Sequence, residues 1–366
     1  MASVWTPRAG FKLLFINGGL FFHSTCVVLA QFLSTWVAFL APSFYLRYIS
    51  FTMRMWSQGL IGIVQLFAPS PLVITLDSSC SGENVFKRDS NGNVVGLSFP
   101  KRIIVTANHQ IYADWLYIWC VSYLASAHGA MKIVLKDSLK NLPIYGMGMQ
   151  YFDFIFLRRK LADDKDTIQD NLKRSKKAGQ PMWLLLFPEG TVISKKMRNR
   201  SEAYAKKNDL KDNQYTLLPR STGLRLSTEA LDDSVEWLYD MTLGYSGVGP
   251  NDIPEDVYTI QGIFFFGKSP KKVHVHIRRF AVKTIPKEEE AYAKWVQERW
   301  VEKDELMSHF YTHGSFPSQE NQTAEIPIRL RRPFLELLQV YVCILPYIPL
   351  TIMAWPAIKQ YCKKYF

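Results

Sequence analysis

Cysteine is scarce in this chain. Five stand at 26, 80, 120, 343 and 362. They form no CxxC pair and no metal-ligand spacing, and their odd number and irregular spacing argue against a disulfide framework. They read as small hydrophobes of a body facing a reducing compartment. Internal repeats and low-complexity tracts are missing too. Acidic residues are in deficit, with 32 Asp and Glu against 44 Lys and Arg, a net charge of +12. A surplus of that size implies an anionic partner: nucleic acid, phospholipid headgroups or a phosphorylated small molecule. No nucleic-acid reader motif is present, and apolar ends would tether such a reader to a membrane. With 48% apolar and 21% charged residues among 366, a disordered or collagen-like chain is excluded. The length fits one large domain or two smaller ones.

What the ends hold is long uncharged sequence. Leu13 to Leu46 is 34 residues without Lys, Arg, Asp or Glu, where a bilayer span needs about 20. The run is too long for a signal-peptide core and has no convincing small-residue cleavage site, so it reads as an uncleaved anchor. Arg47 and Arg54 follow, then Met55 to Leu76 is uncharged for 22 residues, its first part suited to a second membrane helix. Pro42 and Ser43 punctuate the two. At the other end Leu337 to Ile358 is another 22 uncharged residues, interrupted by Pro346, Pro349 and Pro356. A bent or re-entrant segment suits it as well as a straight crossing. Lys363 and Lys364 stand third and fourth from its end, like a dilysine retrieval signal of endoplasmic reticulum membrane proteins. With Lys359 they favour a cytosolic C-terminus.

The middle alternates short apolar runs with charged amphipathic stretches. Strands are expected near 103–107, 132–135, 153–157 and 182–187, and helices at 114–127, 164–178, 195–207 and 287–311. The alternation predicts an α/β fold, a mostly parallel central sheet flanked by helices, with an N-terminal membrane helical hairpin and a C-terminal membrane-associated segment. The domains divide at 1–71, 72–330 and 331–366. Ser78–Pro100 is turn-rich and reads as an exposed hairpin or loop. Val273 to Arg278 alternates at period two, so a strand with one buried face and a polar face carrying His274 and His276 is expected. No third ligand stands near those histidines, and no metal is expected there.

Two segments carry chemistry. In the first, a β-branched strand, Ile103-Ile104-Val105-Thr106, runs through Ala107 into Asn108-His109, and Asp114 follows five residues after the histidine at a helix start. That spacing lets Asp114 turn back onto the imidazole, fix its tautomer and leave the other ring nitrogen free to take a proton. No serine or cysteine stands beside the pair as a nucleophile, so it would activate a hydroxyl of a substrate. The helix N-terminus disfavours an imidazolium while Asp114 favours it. In the second, the apolar strand Trp183 to Phe187 ends in Pro188-Glu189-Gly190-Thr191. There the glycine permits a tight turn, and backbone N–H groups with the threonine hydroxyl can hold a phosphate.

Together the segments resemble the glycerophospholipid acyltransferase family, with its Asn-His-x-x-x-x-Asp box and its Phe-Pro-Glu-Gly-Thr box in this order. Phe156-Leu157-Arg158-Arg159 is similar to the family's second motif, with Arg159 the motif residue by the spacing and Arg158 the alternative. Leu217-Leu218-Pro219-Arg220-Ser221-Thr222-Gly223 is similar to the fourth, centred on Pro219. Lys136 stands where relatives often carry a headgroup-side lysine. The similarity covers about residues 103–315. The finer pattern resembles the lysophosphatidylinositol and lysocardiolipin acyltransferases, departing from them at Gln110, where a basic residue is common, and in a shorter C-terminal membrane segment.

The resemblance implies one-step acyl transfer from acyl-CoA to the hydroxyl of a lysophospholipid, most readily lysophosphatidylinositol, with no cofactor besides that co-substrate. His109 would be the base and Asp114 its orienter. Asn108, Lys136, Arg159, Glu189, Gly190, Thr191 and Pro219 would bind substrate, with Glu189 orienting Arg159 or its own loop. Lys195, Lys196, Arg198, Arg200, Lys206 and Lys207 would guide CoA or anionic headgroups. The acyl groove would be lined by the N-terminal hairpin and the helix after Asp114. The partners are acyl-CoA, a lysophospholipid and the bilayer, at the endoplasmic reticulum with the catalytic domain cytosolic. Acylation of lysophosphatidic acid and a non-catalytic membrane scaffold are the alternatives; a hydrolase would need a nucleophile or metal site that is not found.

Overall fold

A computed structural model describes residues 5–158 and 161–342, with 349, 352, 353, 355, 356 and 359. Arg159 and the Lys363–Lys364 pair lie outside the described residues, as does most of the C-terminal apolar run beyond 342.

The chain opens with two long helices, α1 (Pro7–Leu33) and α3 (Pro42–Phe67), joined through the single turn α2 (Val37–Leu40). Pro7 begins α1 where no intrahelical N–H is needed, and the Thr6 side chain accepts from the Ala9 amide at 3.2 Å. The 34-residue uncharged run is therefore divided between two helices. The second begins at Pro42 rather than near Met55, and carries Arg47 and Arg54, both exposed. Helix α1 is long and apolar enough to cross a membrane. The two helices are bonded to each other by polar pairs: Gln31 Nε2 donates to Thr52 Oγ1 at 3.0 Å and Trp56 Nε1 to Ser24 Oγ at 2.9 Å. Phe11, Leu14 and Phe22 of α1, Phe39 and Leu40 of α2 and Phe44 of α3 are exposed, an apolar surface that suggests association with a membrane.

Next come β1 (Leu72–Leu76), the hairpin β2 (Phe86–Arg88) and β3 (Val94–Leu97), and β4 (Arg102–Ala107). Then follow α4 (Asp114–Leu124), β5 (Met131–Lys136), α5 (Tyr145–Tyr151), β6 (Ile155–Leu157), α6 (Leu161–Ala178) and β7 (Met182–Leu186). The second half adds α7 (Lys195–Lys207), α8 (Thr222–Leu231), β8 (Trp237–Tyr245), the short α9 (Pro254–Val257) and α10 (Ile260–Phe264), β9 (Val273–Ala281), α11 (Glu289–His313), β10 (Thr323–Ile326) and α12 (Pro333–Val342). Eight strands form one sheet in the order β10-β1-β9-β8-β4-β7-β5-β6. Five of its seven pairings are parallel; β1–β10 and β8–β9 are antiparallel.

Successive residues of β4 serve opposite faces, as a strand's period of two requires. Ile103, Val105 and Ala107 join the core under α3 and α4, while Ile104 joins the core formed with α6, α8 and α11. Strand β4 lies between β8 and β7 and is buried on both faces, which favours its β-branched run. The same holds for β9, and here the expectation of a half-exposed strand is corrected. His274, His276 and Arg278 are all buried, because α11 and the segment after it cover that face. His274 meets the Phe310 ring edge-on at 5.1 Å, and His276 lies 5.6 Å from that of Phe316. Arg278 pairs with the buried Asp240 at 2.9 Å, and Asp240 also takes the fully buried Lys303 at 2.8 Å. Cys26, Cys80 and Cys120 are buried and free.

Candidate active site

The topology places the site. Strands β8, β4, β7, β5 and β6 are consecutive and mutually parallel, so their carboxyl ends share one edge of the sheet, the edge where open α/β sheets bind ligands. That edge brings together Tyr245 from β8, Asn108-His109 after β4, Pro188 to Thr191 after β7, Lys136 from β5 and Arg158 after β6.

His109 Nδ1 lies 2.8 Å from Asp114 Oδ2. Asp114, the first residue of α4, is fully buried, and the same Oδ2 accepts from the Ile111 amide at 3.0 Å. Its other oxygen accepts a short hydrogen bond from the Tyr245 hydroxyl. The carboxylate thus faces three donors, and the helix N-terminus lies on the same side. The imidazole stacks on Phe187, ring centroids 4.3 Å apart and planes 22° from parallel, and its Nε2 has no partner among the described residues. This is the geometry of an oriented base with one nitrogen open.

Three expected binding residues turn out to face elsewhere. Asn108 is fully buried. Its Nδ2 donates to the Leu243 carbonyl at 3.0 Å and its Oδ1 accepts from the Leu243 amide at 2.8 Å, so the amide serves as a clip between the β4 loop and β8. Glu189 points inward. Its Oε1 accepts from the His109 amide and from Trp300 Nε1, each at 3.2 Å, and its Oε2 from the Leu217 amide at 3.2 Å. Burial pushes its carboxyl up to about 7, against the pull of those donors. Glu189 therefore ties the His109 and Leu217 amides and Trp300 together. Pro219 does not line the cavity; its neighbour Arg220 does. Gln110 is also turned away, its Nε2 on the Tyr215 carbonyl at 3.0 Å and its Oε1 accepting from Tyr311 at 3.3 Å. Gln110 does not line the cavity.

Residues that do face the cavity are His109, Lys136, Gly190, Thr191 and Arg220. Gly190 has φ of +72°, a left-handed conformation that favours glycine, and its amide closes the turn on the Phe187 carbonyl at 2.8 Å. Arg220 is exposed, and its backbone amide bonds the Pro188 carbonyl at 2.8 Å, which sets its side chain over the turn. A Cβ built on Gly190 would lie 4.0 Å from its Nε. The basic side chains of α7 do not line the cavity.

From this polar mouth an apolar cavity of about 890 Å³ runs between the sheet and the N-terminal helices, at the upper end of the size of small-molecule sites. Val27 and Val28 of α1, Trp56 and Leu60 of α3, and Trp115 and Trp119 of α4 form much of its wall, as the sequence led us to expect. Further wall comes from β5 and α5, including Ile133, Gly148 and Met149. Tyr245, Trp300 and Arg220 were not singled out from sequence. Only Arg220 lay within a quoted motif; the other two reach the site through tertiary contacts.

Comparison with known proteins agrees with this geometry. Residues 83–232 match the acyltransferase family and residues 264–338 the acyltransferase C-terminus. An uncharacterized acyltransferase of Schizosaccharomyces pombe is 36% identical over 322 residues, 88% of this chain and 91% of the relative. A 2-acyl-1-lysophosphatidylinositol acyltransferase of Saccharomyces cerevisiae is 34% identical, over 85% of this chain and 86% of its own. Lysocardiolipin acyltransferase 1 of Gallus gallus is 29% identical, over 84% and 75%. With the His109–Asp114 pair and the Glu189 turn brought to one edge of the sheet, this chain belongs to the glycerophospholipid acyltransferase family and is an acyltransferase.

Proposed function

We propose that the enzyme transfers a fatty acyl group from acyl-CoA to the free hydroxyl of a lysophospholipid, most readily lysophosphatidylinositol. The observation that carries this reading is the open Nε2 of His109 at the mouth of a long apolar cavity. In the proposed step Nε2 takes the proton of the lysolipid hydroxyl while the oxygen attacks the thioester carbonyl. Collapse of the tetrahedral intermediate breaks the C–S bond, and the imidazolium returns its proton to the leaving CoA thiolate. Asp114 stays ionised and orients the ring.

Lys136, Arg220 and the Thr191 hydroxyl would receive phosphate, Arg220 through its planar fork. Arg159 belongs to this proposal by its motif alone. The acyl chain would lie in the cavity, where each buried CH₂ contributes about 0.8 kcal/mol. The exposed apolar faces of α1 and α3 would set the mouth at the bilayer surface, so that lysolipid and acyl chain enter without crossing water. The endoplasmic reticulum, with the α/β body on the cytosolic side where CoA is found, is the proposed location.

The test is transfer of labelled oleoyl- and stearoyl-CoA by the purified full chain in lipid nanodiscs, with lysophosphatidylinositol, lysophosphatidic acid, lysocardiolipin and lysophosphatidylcholine as acceptors. His109-dependent transfer to lysophosphatidylinositol supports the reading. Preference for lysophosphatidic acid moves the enzyme to primary phospholipid synthesis, and near-normal turnover by His109→Ala overturns the assignment of the base.

A further inference from the structure

Tyr245 ends β8, the strand beside β4. Its register is fixed two residues earlier, where the Asn108 amide clips both backbone groups of Leu243. Residues i and i+2 of a strand share a face, so that clip also sets the direction of the Tyr245 side chain. The ring is almost fully buried between Tyr117, with centroids 5.8 Å apart, and Tyr258, at 6.2 Å. Its hydroxyl has one recorded acceptor, Asp114 Oδ1. Burial, and then the adjacent carboxylate, hold its acidity well below that of an ordinary phenol, so it remains a donor throughout the working pH range. Without that donor, Oδ1 would be a buried acceptor with no recorded partner, and the carboxylate would be restrained through Oδ2 alone, which faces both His109 and Ile111.

We propose that Tyr245 is a positioning residue of the acyl-transfer site, which locks the Asp114 carboxylate so that His109 presents Nε2 to the incoming hydroxyl. The proposal rests on His109 being the base. A donor on Oδ1 also draws charge from the side that faces His109, so the hydroxyl tunes the imidazole as well as aiming it. Among the described residues, the charged and titratable groups around the pair include Glu189 at the His109 amide, Tyr117 from α4, Tyr258 against the Tyr245 ring and Glu255 from α9. All are retained when the hydroxyl alone is removed.

The experiment compares Tyr245→Phe, His109→Ala and the double variant in nanodiscs, reading kcat, KM and the pH profile of kcat/KM. Tyr245→Phe is expected to lower kcat about 10-fold, with both KM values changed less than about 2-fold. The acidic limb moves to higher pH, because an Asp114 with more charge toward His109 stabilises the imidazolium. In the His109→Ala background the same substitution costs nothing further. Placing 3,5-difluorotyrosine at 245 preserves the packing and strengthens the donor, so the acidic limb should move to lower pH; this variant decides the matter if Tyr245→Phe does not fold. Unaltered kcat and pH profile in Tyr245→Phe, or an equal loss with and without His109, overturns the role of Tyr245 while leaving the base in place. Near-normal turnover of His109→Ala alone overturns the reading beneath it.

Discussion

Glu189 Oε1 accepts from Trp300 Nε1 at 3.2 Å across 111 residues of sequence, and so joins the turn after β7 to the long helix α11. The same carboxylate holds the His109 and Leu217 amides, so three segments of the site meet on one side chain. Glu189→Gln retains one acceptor oxygen and turns an NH₂ group toward a donor. A loss of about 1–3 kcal/mol in stability is expected, with turnover falling because the His109 loop is released. Thermal unfolding and kcat measured on one preparation check this, and an unchanged melting temperature would contradict it.

Asp114→Asn keeps the shape of the His109 contact but removes the negative charge and lets the wrong imidazole tautomer form. A fall in kcat of about 10²–10⁴-fold is expected, with KM for acyl-CoA little altered. Steady-state kinetics beside His109→Ala decide it. A variant that keeps most of its turnover would show that Asp114 serves packing instead of the base.

Arg220 lines the mouth and has no recorded side-chain partner in the described structure. Arg220→Ala should leave stability near that of the parent and lower kcat/KM about 10–100-fold, the value of a charge-assisted contact to phosphate. Varying the lysolipid at saturating acyl-CoA, and then the reverse, shows which phosphate it meets. No change in either KM would remove it from the site.

Acid should weaken the fold. Burial depresses His128 to about 3 and His274 and His276 to about 4, while the unfolded value is about 6.5. A base with a lowered folded pKa contributes stability above the unfolded value and loses it as pH falls toward the folded one. Glu189 acts in the opposite sense between about 7 and 4.5, gaining stability as pH falls. His309 is also lowered and Glu255 also raised, and the histidines still outnumber the carboxyls, so the melting temperature should drop between pH 7 and pH 5. Replacing His276 with Asn should flatten that slope. A melting temperature that rises toward pH 5 would place the controlling group elsewhere.

Gly148 of α5 faces the cavity, and a Cβ there would lie 3.3 Å from Val28 Cγ2 of α1. Gly148→Leu should therefore fill the passage and cut transfer from oleoyl-CoA more than from decanoyl-CoA. Equal losses with both donors would show that the acyl chain runs another way.

Much of this architecture is legible along the chain because its signals are local. The β-branched run into Asn108-His109 and the apolar run into Pro188-Glu189 give strands at Arg102–Ala107 and Met182–Leu186, and the five-residue step from His109 to Asp114 closes as one hydrogen bond. What stays hidden depends on register between distant strands. Tyr245 meets Asp114 across 131 residues and Asn108 meets Leu243 across 135, so no spacing rule reaches either. Asn108 shows the same limit from the other side: its motif marks it for ligand, while sheet closure uses both of its amide atoms. The alternation of Val273 to Arg278 predicts a half-exposed strand because a sequence does not show α11 lying over it.

The cavity wall has one more consequence. Since Val27, Val28, Trp56 and Leu60 come from the first two long helices, the segment that would dock the enzyme on lipid also walls the cavity proposed to take the acyl chain. A version beginning at β1 would be more than unanchored: it would have an open trough in place of a chamber, with Trp115 and Trp119 bared to water. Exchanging the first 67 residues for an unrelated membrane helix would supply an apolar surface without rebuilding the cavity wall. Under the proposed function, attachment and acyl selectivity would therefore change together.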